Sequence, residues 1–480
     1  IVIAGGIAPS ELPAQLISLK TVPVPNGEQF LLLPSRNLGM GGLSLALEDP
    51  LADVFVNPAK GARLEGGRVF SAPAFYDVSD DLGGGASLPL GAVLRSGRWF
   101  GGTVLAMQQL QDPNTERIIF DGVDDRQLRN TSRNNTYARI AAGMTLGHDG
   151  RTSIGAAILH ASLAATDGAS LLFRGADYVL QDGGVNDYRV GVLHELDNGG
   201  WLEAVVVHNR LDMTHDVAYT TWTWNAGDQS PVFETREETN LDRTRTTGVH
   251  LAIVHPLAEP GWRIGGALTF NRKMHPKIPN YALVNIPRDP GNSTAFNAGV
   301  GLSRTDGPTV FAMDLVWEPA RSHTWAEAGD RIVTASGSEI PSGGRTIENW
   351  FRFSNIRFAT GMSHESDRGG FQLGLGVKMY DYRLRQENYV SEETRRTNDS
   401  WFEWTPSWGA VFKRSGVELR YTGRITMRGL PLLDSEQVDF IAPLADAPDI
   451  LAAPTAPVTL PDYHTFTNQL SVSFLIGGRR

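Results

Sequence analysis

From about residue 67 onward, apolar and polar residues take alternate places along the chain. In "TNQLSVSFLIGG", Leu470, Val472, Phe474 and Ile476 share one face, and Thr467, Gln469, Ser471 and Ser473 share the other. That period of two belongs to a strand with unlike environments on its two sides. "GVELRYTGRITMR" sets Val417, Leu419, Tyr421, Ile425 and Met427 against Glu418, Arg420, Thr422, Arg424, Thr426 and Arg428. A face so rich in charge is expected to be wet. "FNAGVGLS", "TVFAMDLVWE" and "FQLGLGVKMYDY" repeat the pattern, with Phe296, Val300, Phe311, Leu315, Leu373 and Val377 on apolar faces. Many of these runs are about ten residues long, the length that crosses a bilayer at a ~45° tilt.

Short turn signals alternate with long polar connections. "RSGR", "GHDGR", "LDNGG", "PLAEPG", "RTDGP", "ESDRGG" and "KRSG" are tight-turn sequences. Between them lie the stretches 110–136, 164–186, 213–243, 275–292, 320–348, 386–400 and 429–464, read as long loops. Short turns at one rim and long loops at the other are the build of an outer-membrane barrel. With a first strand near 67–78 and a last near 466–477, the turns predict fourteen to sixteen strands, sixteen being the best count. The fold class expected is all-β: a transmembrane, antiparallel, up-and-down β-barrel. A soluble sandwich or propeller also alternates. A propeller, however, has a blade repeat of about 40 residues, which is absent, and a sandwich has short connections at both ends. Trp99, Trp201, Trp262, Trp317, Trp350, Trp401, Trp404 and Trp408 sit near strand ends, as interfacial girdles require.

Composition agrees with a barrel. Gly is 52 of 480 residues, against a usual share of about 7%. No run approaches the ~20 apolar residues of a membrane-spanning helix, and a barrel's alternation averages to the mean hydropathy of −0.20. The sequence contains no cysteine, which excludes disulfides, thiolate metal sites and a cysteine nucleophile. Net charge is −10 with no basic cluster along the sequence, which argues against a nucleic-acid partner. A start at Ile1 fits a signal peptide already removed.

Before the alternation begins, "SRNLGMGGLSLALEDPLADVFVNPAK" is dense in turn residues and poor in reactive ones. Gly39, Gly41 and Gly42 permit close backbone approach. Glu48 and Asp49 suit the first turn of a short helix in "LALEDPLADVF", and Pro58 after Asn57 fixes a turn. The organisation expected is an N-terminal extension (1–34), a luminal plug (35–66) and a barrel (67–480).

This opening, with "FLLLPSRNLGMGG" followed by "NPAK", resembles the N-terminal signature of the FadL-type outer-membrane barrel superfamily, and within it most closely the PorV/PorQ branch associated with type IX secretion. The resemblance implies a luminal hatch closed against the wall by Asn57, Pro58 and Ala59, with Gly39, Gly41 and Gly42 in the same hatch. It also implies a place in the bacterial outer membrane. For a FadL-type transporter it implies capture of a hydrophobic substrate outside and lateral release into the membrane. For the PorV branch it implies docking of secreted proteins at the extracellular loops. The count of sixteen strands is larger than these families usually show.

No metalloprotease helix, nucleophile elbow, phosphate loop or dinucleotide fingerprint occurs, so no catalytic residue, metal site or cofactor is assigned. The eleven histidines are scattered; His250 and His255 fall on opposite faces of one strand. The acidic runs 76–81 and 121–126 lack a defined Ca²⁺ spacing and read as solvated loop charge. Glu418, Arg420, Arg424 and Arg428 are placed in the lumen, either as an anion-attracting stripe or as a salt-bridged wall holding the plug. Tyr219, Trp222, Trp224 and Phe233 mark a loop surface for a hydrophobic ligand or a protein partner, or simple loop packing. The Pro/Ala-rich stretch 441–462 is expected to be extended. Two functions follow: movement of hydrophobic or amphipathic small molecules, or a protein-interaction barrel. Outer-membrane lipid or lipopolysaccharide is the expected surrounding partner in both.

Overall fold

The computed structural model describes residues 32–79, 83–111, 132–166, 178–225, 230–275, 278–279, 287–288, 291–328, 330–428 and 464–476. Sixteen antiparallel strands close on themselves. The first, β1, is made of Gly67–Ser71 and Ala74–Val78, and both pieces pair with the second and the last strand. Pro73 splits it without shifting its register, because proline has no N–H to give the ladder. There follow β2 (Gly84–Ser96), β3 (Trp99–Gln111), β4 (Ser132–Leu146), β5 (Thr152–Leu163), β6 (Tyr178–Glu195), β7 (Trp201–Asn225) and β8 (Ser230–Pro256). The second half is β9 (Trp262–His275), β10 (Gly291–Asp306), β11 (Thr309–Glu327), β12 (Arg345–Glu365), β13 (Gly369–Asn388), β14 (Glu393–Arg414), β15 (Val417–Arg428) and β16 (His464–Ile476). Closure removes the free edges that an open sheet would expose.

All seven tight-turn sequences join consecutive strands at one rim. The tightest put glycine in the left-handed region, with φ 58° at both Gly97 and Gly307. Burial alternates along each strand, and the apolar face points outward. On β16, Leu470, Phe474 and Ile476 are 43%, 48% and 52% exposed, while Thr467, Gln469 and Ser473 are at most 4% exposed. Leu90, Leu105, Ile140 and Leu268 continue that exposed apolar face around the wall. Such an exterior suits a lipid solvent. None of the described helices is long and apolar enough to cross a membrane.

Three expectations change. The charged face of β15 is not wet: Arg420 is 3% and Thr422 2% exposed, because chain from before the barrel covers them. Trp201 and Trp401 leave the girdle and turn inward, at 1% and 8% exposure, while Trp99 and Trp317 face outward. Within the stretch 213–243, residues 213–225 and 230–243 are not loop but the upper part of the β7–β8 pair, 25 and 27 residues long, paired up to Asn225↔Ser230. Pairing continues beyond bilayer height because polar side chains on both faces are tolerated in water, and that same polarity made the stretch read as loop. The segments 320–348 and 386–400 likewise contribute strand to β11, β12, β13 and β14. The stretch 441–462 and the acidic run 121–126 lie outside the described residues.

Residues 32–66 precede the barrel, and 32–64 are largely buried against its inward face. Leu33, Leu38, Leu51, Val54, Phe55 and Leu64 form one cluster with Phe70, Ala74, Val93, Val104, Ala141 and Ala157 of the wall. Phe55 is 0% and Leu38 1% exposed, and full burial of such a side chain contributes about 1.5–3 kcal/mol. Met40 and Leu43 pack on Ala312 and Ala359, and Leu45 packs on Ala267 and Val316. This inner segment therefore touches opposite sides of the barrel.

Candidate functional site

The inner segment folds as three short turns. A 3₁₀ turn, Leu38–Met40, ends at Gly41 with φ 83°. One helical turn, Asp53–Val56, falls a few residues later than Glu48 and Asp49 suggested. A second 3₁₀ turn, Pro58–Arg63, has Pro58 at its start and Asn57 as its cap.

Asn57 is 1% exposed and spends both ends of its amide. Its Oδ1 accepts from the Ala59 N–H at 3.1 Å, and its Nδ2 donates to Glu203 Oε2 at 3.0 Å and to the Val192 carbonyl at 3.4 Å. Ser153 Oγ donates to the Ala59 carbonyl at 2.9 Å. Opposite this turn the wall carries glycine: a Cβ on Gly191 would overlap the Asn57 amide, and one on Gly155 would sit 2.7 Å from the Pro58 carbonyl carbon. Lys60 Nζ lies 3.1 Å from Glu203 and 3.7 Å from Asp53. Burial pushes the Asp53 carboxyl up to about 7, with the Lys60 ammonium offsetting only part of it. For Lys60, burial opposes the charge, but the Asp53 and Glu203 carboxylates outweigh it and hold its pKa above the usual lysine value. His250, 4% exposed, stands 3.9 Å from Glu203 on the same inward face, whereas His255 is exposed.

The glycine turn docks on the opposite wall. A Cβ on Gly374 would overlap the Met40–Gly41 peptide, and one on Gly39 would meet Gln372 Oε1 at 2.7 Å. Ser407 Oγ donates to the Gly39 carbonyl at 3.2 Å, and Gln372 Nε2 donates to that of Arg36 at 2.7 Å. Gly42 carries positive φ, 71°, and its N–H donates to the Asn37 carbonyl at 3.0 Å.

Arg420 also reaches the Arg36 carbonyl, at 3.4 Å, and pairs with Glu365 at 3.0 Å and Glu418 at 3.1 Å. Arg424 follows on the same face, half-buried, in register with Ser407 and Thr467. Arg428 pairs through its backbone with Glu403, and its side chain lies outside the described residues. The side chains of Tyr219, Trp222, Trp224 and Phe233 also lie outside them; their backbones sit in the β7–β8 hairpin, with Trp222 opposite Phe233.

The sequence did not single out most of the wall side chains that hold the inner segment. Arg139 Nη2 and Arg189 Nη1 donate to the carbonyls of Phe55 and Val56 at 2.7 and 3.3 Å, which satisfies the free end of the helical turn. Asp187 holds Arg189 at 2.6 Å, both 4% exposed. Asp314 accepts from the Ser44 and Leu45 N–H groups at 2.8 and 3.2 Å. Ser303 and Gln469 donate to the carbonyls of Ala46 and Leu33. Near the tight-turn rim, Arg63 lies 4.0 Å over the Trp201 ring and pairs with Glu48 and Glu195. The one legible signal was glycine on inward faces, as in "GLG" of β13, where backbone must approach closely.

Further toward the long-hairpin rim, Phe351, Phe353, Tyr380, Tyr382, Leu384 and Trp401 form an inward apolar patch. Tyr380 and Trp401 stack at 4.9 Å, and Phe353 and Tyr382 meet at 5.1 Å. The ladder is interrupted beside two prolines, Pro319 between β10 and β11 and Pro406 between β14 and β15. Among the described residues no group of three His, Asp or Glu is placed to hold a metal ion.

The architecture is thus a closed sixteen-stranded barrel with an apolar exterior and an N-terminal segment docked on its inward wall. No protein-family model matches the chain, and no curated protein matches its sequence. Among solved structures it is similar to the Ralstonia pickettii toluene transporter TbuX, at 12% identity over 92% of this chain and 97% of that one, with a TM-score of 0.40. A Pseudomonas aeruginosa FadL homologue is similar at 11% identity over 94% and 98%, with a TM-score of 0.46. The Pseudomonas putida toluene transporter TodX is similar at 9% identity over 92% and 97%, with a TM-score of 0.38.

Proposed function

We propose that this chain is a FadL-type barrel of the bacterial outer membrane that moves hydrophobic or amphipathic small molecules, with residues 35–66 as its plug. The observation that carries this reading is the docking of a segment without reactive chemistry. Side chains from nine different strands bind its backbone or its turn residues, from Arg139 on β4 to Arg420 on β15. The apolar patch around Trp401 supplies a landing surface ahead of the plug, and the ladder interruptions at Pro319 and Pro406 are the proposed places of lateral release.

A crosslink tests the gate. The chain has no cysteine of its own, so Ala59→Cys with Ser153→Cys places the only thiols on the two sides of one contact. In vesicles carrying the full chain, a short thiol crosslinker should abolish uptake of a hydrophobic fluorescent probe that the uncrosslinked protein admits. Equal uptake before and after crosslinking rules out movement of the plug as the gate.

A second reading, the PorV-like protein-interaction barrel, is favoured by the tall β7–β8 hairpin. Strands of 25 and 27 residues far exceed the roughly ten residues that span a bilayer, and Tyr219, Trp222, Trp224 and Phe233 lie along their far part. Isolation from native membranes distinguishes the two: a stoichiometric polypeptide that protects this hairpin from protease supports the second, and a co-extracted apolar small molecule supports the first.

A further inference from the structure

We infer that the outward face of β9–β13 carries a binding row for the phosphate groups of membrane lipid at the long-hairpin rim. The row rests on the outer-membrane reading above and is built by register. Arg272 stands opposite Thr294, Thr294 opposite Arg321, Arg321 opposite Arg352 and Arg352 opposite Arg383. Four arginines thus lie along one line across five strands, and all four are exposed. They share the outward face, two or four residues along their strands from Phe270, Trp317 and Ile356, which are 51%, 47% and 39% exposed. The row therefore stands where the apolar exterior ends, at the level of lipid headgroups.

Two features make this more than solvated charge. Arg321 and Arg352 face each other directly and, among the described residues, have no hydrogen-bonding or ion-pair partner, whereas Arg383 has only Asp381 at 3.4 Å. Like charges directly opposite one another destabilise a sheet, so an anion between them removes a standing repulsion. Every cation in the row is arginine, whose planar fork matches phosphate oxygens two at a time, which the lysine ammonium does not. One step further from the apolar belt, His323 stacks on Trp350 at 5.2 Å and the Arg385 guanidinium lies 5.0 Å from the Trp350 ring, which places aromatic and cationic groups beside a sugar-bearing headgroup. The occupant of this surface is a phosphorylated glycolipid of the lipid A kind, its acyl chains on Phe270 and Trp317 and its phosphates on the row.

The test uses the full chain in neutral detergent and measures retention of diphosphoryl lipid A by native mass spectrometry. The same lipid freed of phosphate should bind about tenfold more weakly or worse. The double variant Arg321→Ala/Arg352→Ala should lose a similar factor, and Arg321→Lys/Arg352→Lys should fall between it and the parent. Arg304→Ala removes an exposed charge at the opposite, tight-turn rim and should change nothing. Far-UV circular dichroism checks that each variant keeps its strands. The inference is overturned if phosphate removal has no effect, if the alanine pair binds like the parent, if Arg304→Ala weakens binding equally, or if millimolar inorganic phosphate displaces the lipid completely and so shows a site for the free ion. A chain that stays soluble and monomeric without detergent would instead sink the membrane reading itself.

Discussion

Asn57 Nδ2 lies 3.0 Å from Glu203 Oε2, a hydrogen bond that ties a turn of the inner segment to a wall strand 146 residues away. The same amide closes the turn through the Ala59 N–H and reaches the Val192 carbonyl. Asn57→Ala removes all three bonds and leaves buried partners unsatisfied, at a cost of about 2–4 kcal/mol to docking. The expected outcome is faster protease cleavage within residues 35–66 with the barrel itself still resistant. Unchanged cleavage would remove Asn57 from the latch.

Glycine in the wall gives a steric counterpart. A Cβ on Gly374 would overlap the Met40–Gly41 peptide, whereas one on Gly376 finds its nearest neighbour, Thr405, at 3.5 Å. Gly374→Ala should therefore loosen the inner segment by about 1–3 kcal/mol, and Gly376→Ala should leave it seated. Hydrogen exchange at residues 38–42 distinguishes the two. Equal protection in both variants means that the contact at Gly374 is slack.

These two sites also show what the sequence made legible. Period two exposed the barrel, the turns exposed its strand count, and a dense run of turn residues marked the inner segment. The holders of that segment stayed hidden. Arg139, Arg189, Asp314 and Gln372 occupy the polar face of their strands just as water-facing residues do, and strand patterning does not record that another piece of chain covers that face. The upper β7–β8 hairpin stayed hidden for the opposite reason: above the bilayer neither face needs to be apolar, so the alternation fades while pairing continues.

Asp53 makes docking depend on pH. Its carboxyl is raised by burial to about 7 from the ordinary 3.8, against the pull of Lys60, with the Asp49 and Glu203 carboxylates adding to the rise. The folded state therefore binds the proton more tightly than the undocked chain. Its contribution is full below pH ~4 and is lost as pH rises through about 7, with an upper bound of about 4 kcal/mol. The inner segment should resist protease better at pH 5 than at pH 8. Asp53→Asn keeps the acceptor for the Asp49 N–H and should reduce that difference, the Asp49 carboxyl, also raised by burial, supplying the remainder. A parent protein equally resistant at both values contradicts the assignment.

Arg420 and Arg424 lie on one strand face with different surroundings. Arg420 is 3% exposed and joins Glu365, Glu418 and the Arg36 carbonyl. Arg420→Ala leaves Glu365 with Lys413 at 2.7 Å and the Gln372 amide at 3.3 Å, and breaking a buried pair on one side costs about 3–5 kcal/mol. Release of residues 35–66 to protease should accompany it. Arg424→Ala, at a half-buried position, should release the segment less. If Arg424→Ala instead leaves the segment docked but lowers the uptake of a carboxylate-bearing probe, the stripe attracts anions at that position.

Trp401 offers the sharpest test of the transport proposal. Its ring stacks on Tyr380 at 4.9 Å with 17° between planes, within an inward patch that includes Phe351, Phe353 and Tyr382. A neutral apolar probe that lands there gains from a buried aromatic surface, so Trp401→Ala should weaken its binding by about tenfold. Truncating a buried tryptophan also costs about 3–5 kcal/mol of stability, and for that reason Trp401→Phe is the matched variant. It keeps the ring contact and should retain most of the affinity. Probe titration, followed by the probe's own fluorescence, reads both. Wild-type affinity in the alanine variant, with the barrel intact, would exclude this patch as the landing surface and direct the search to the β7–β8 hairpin.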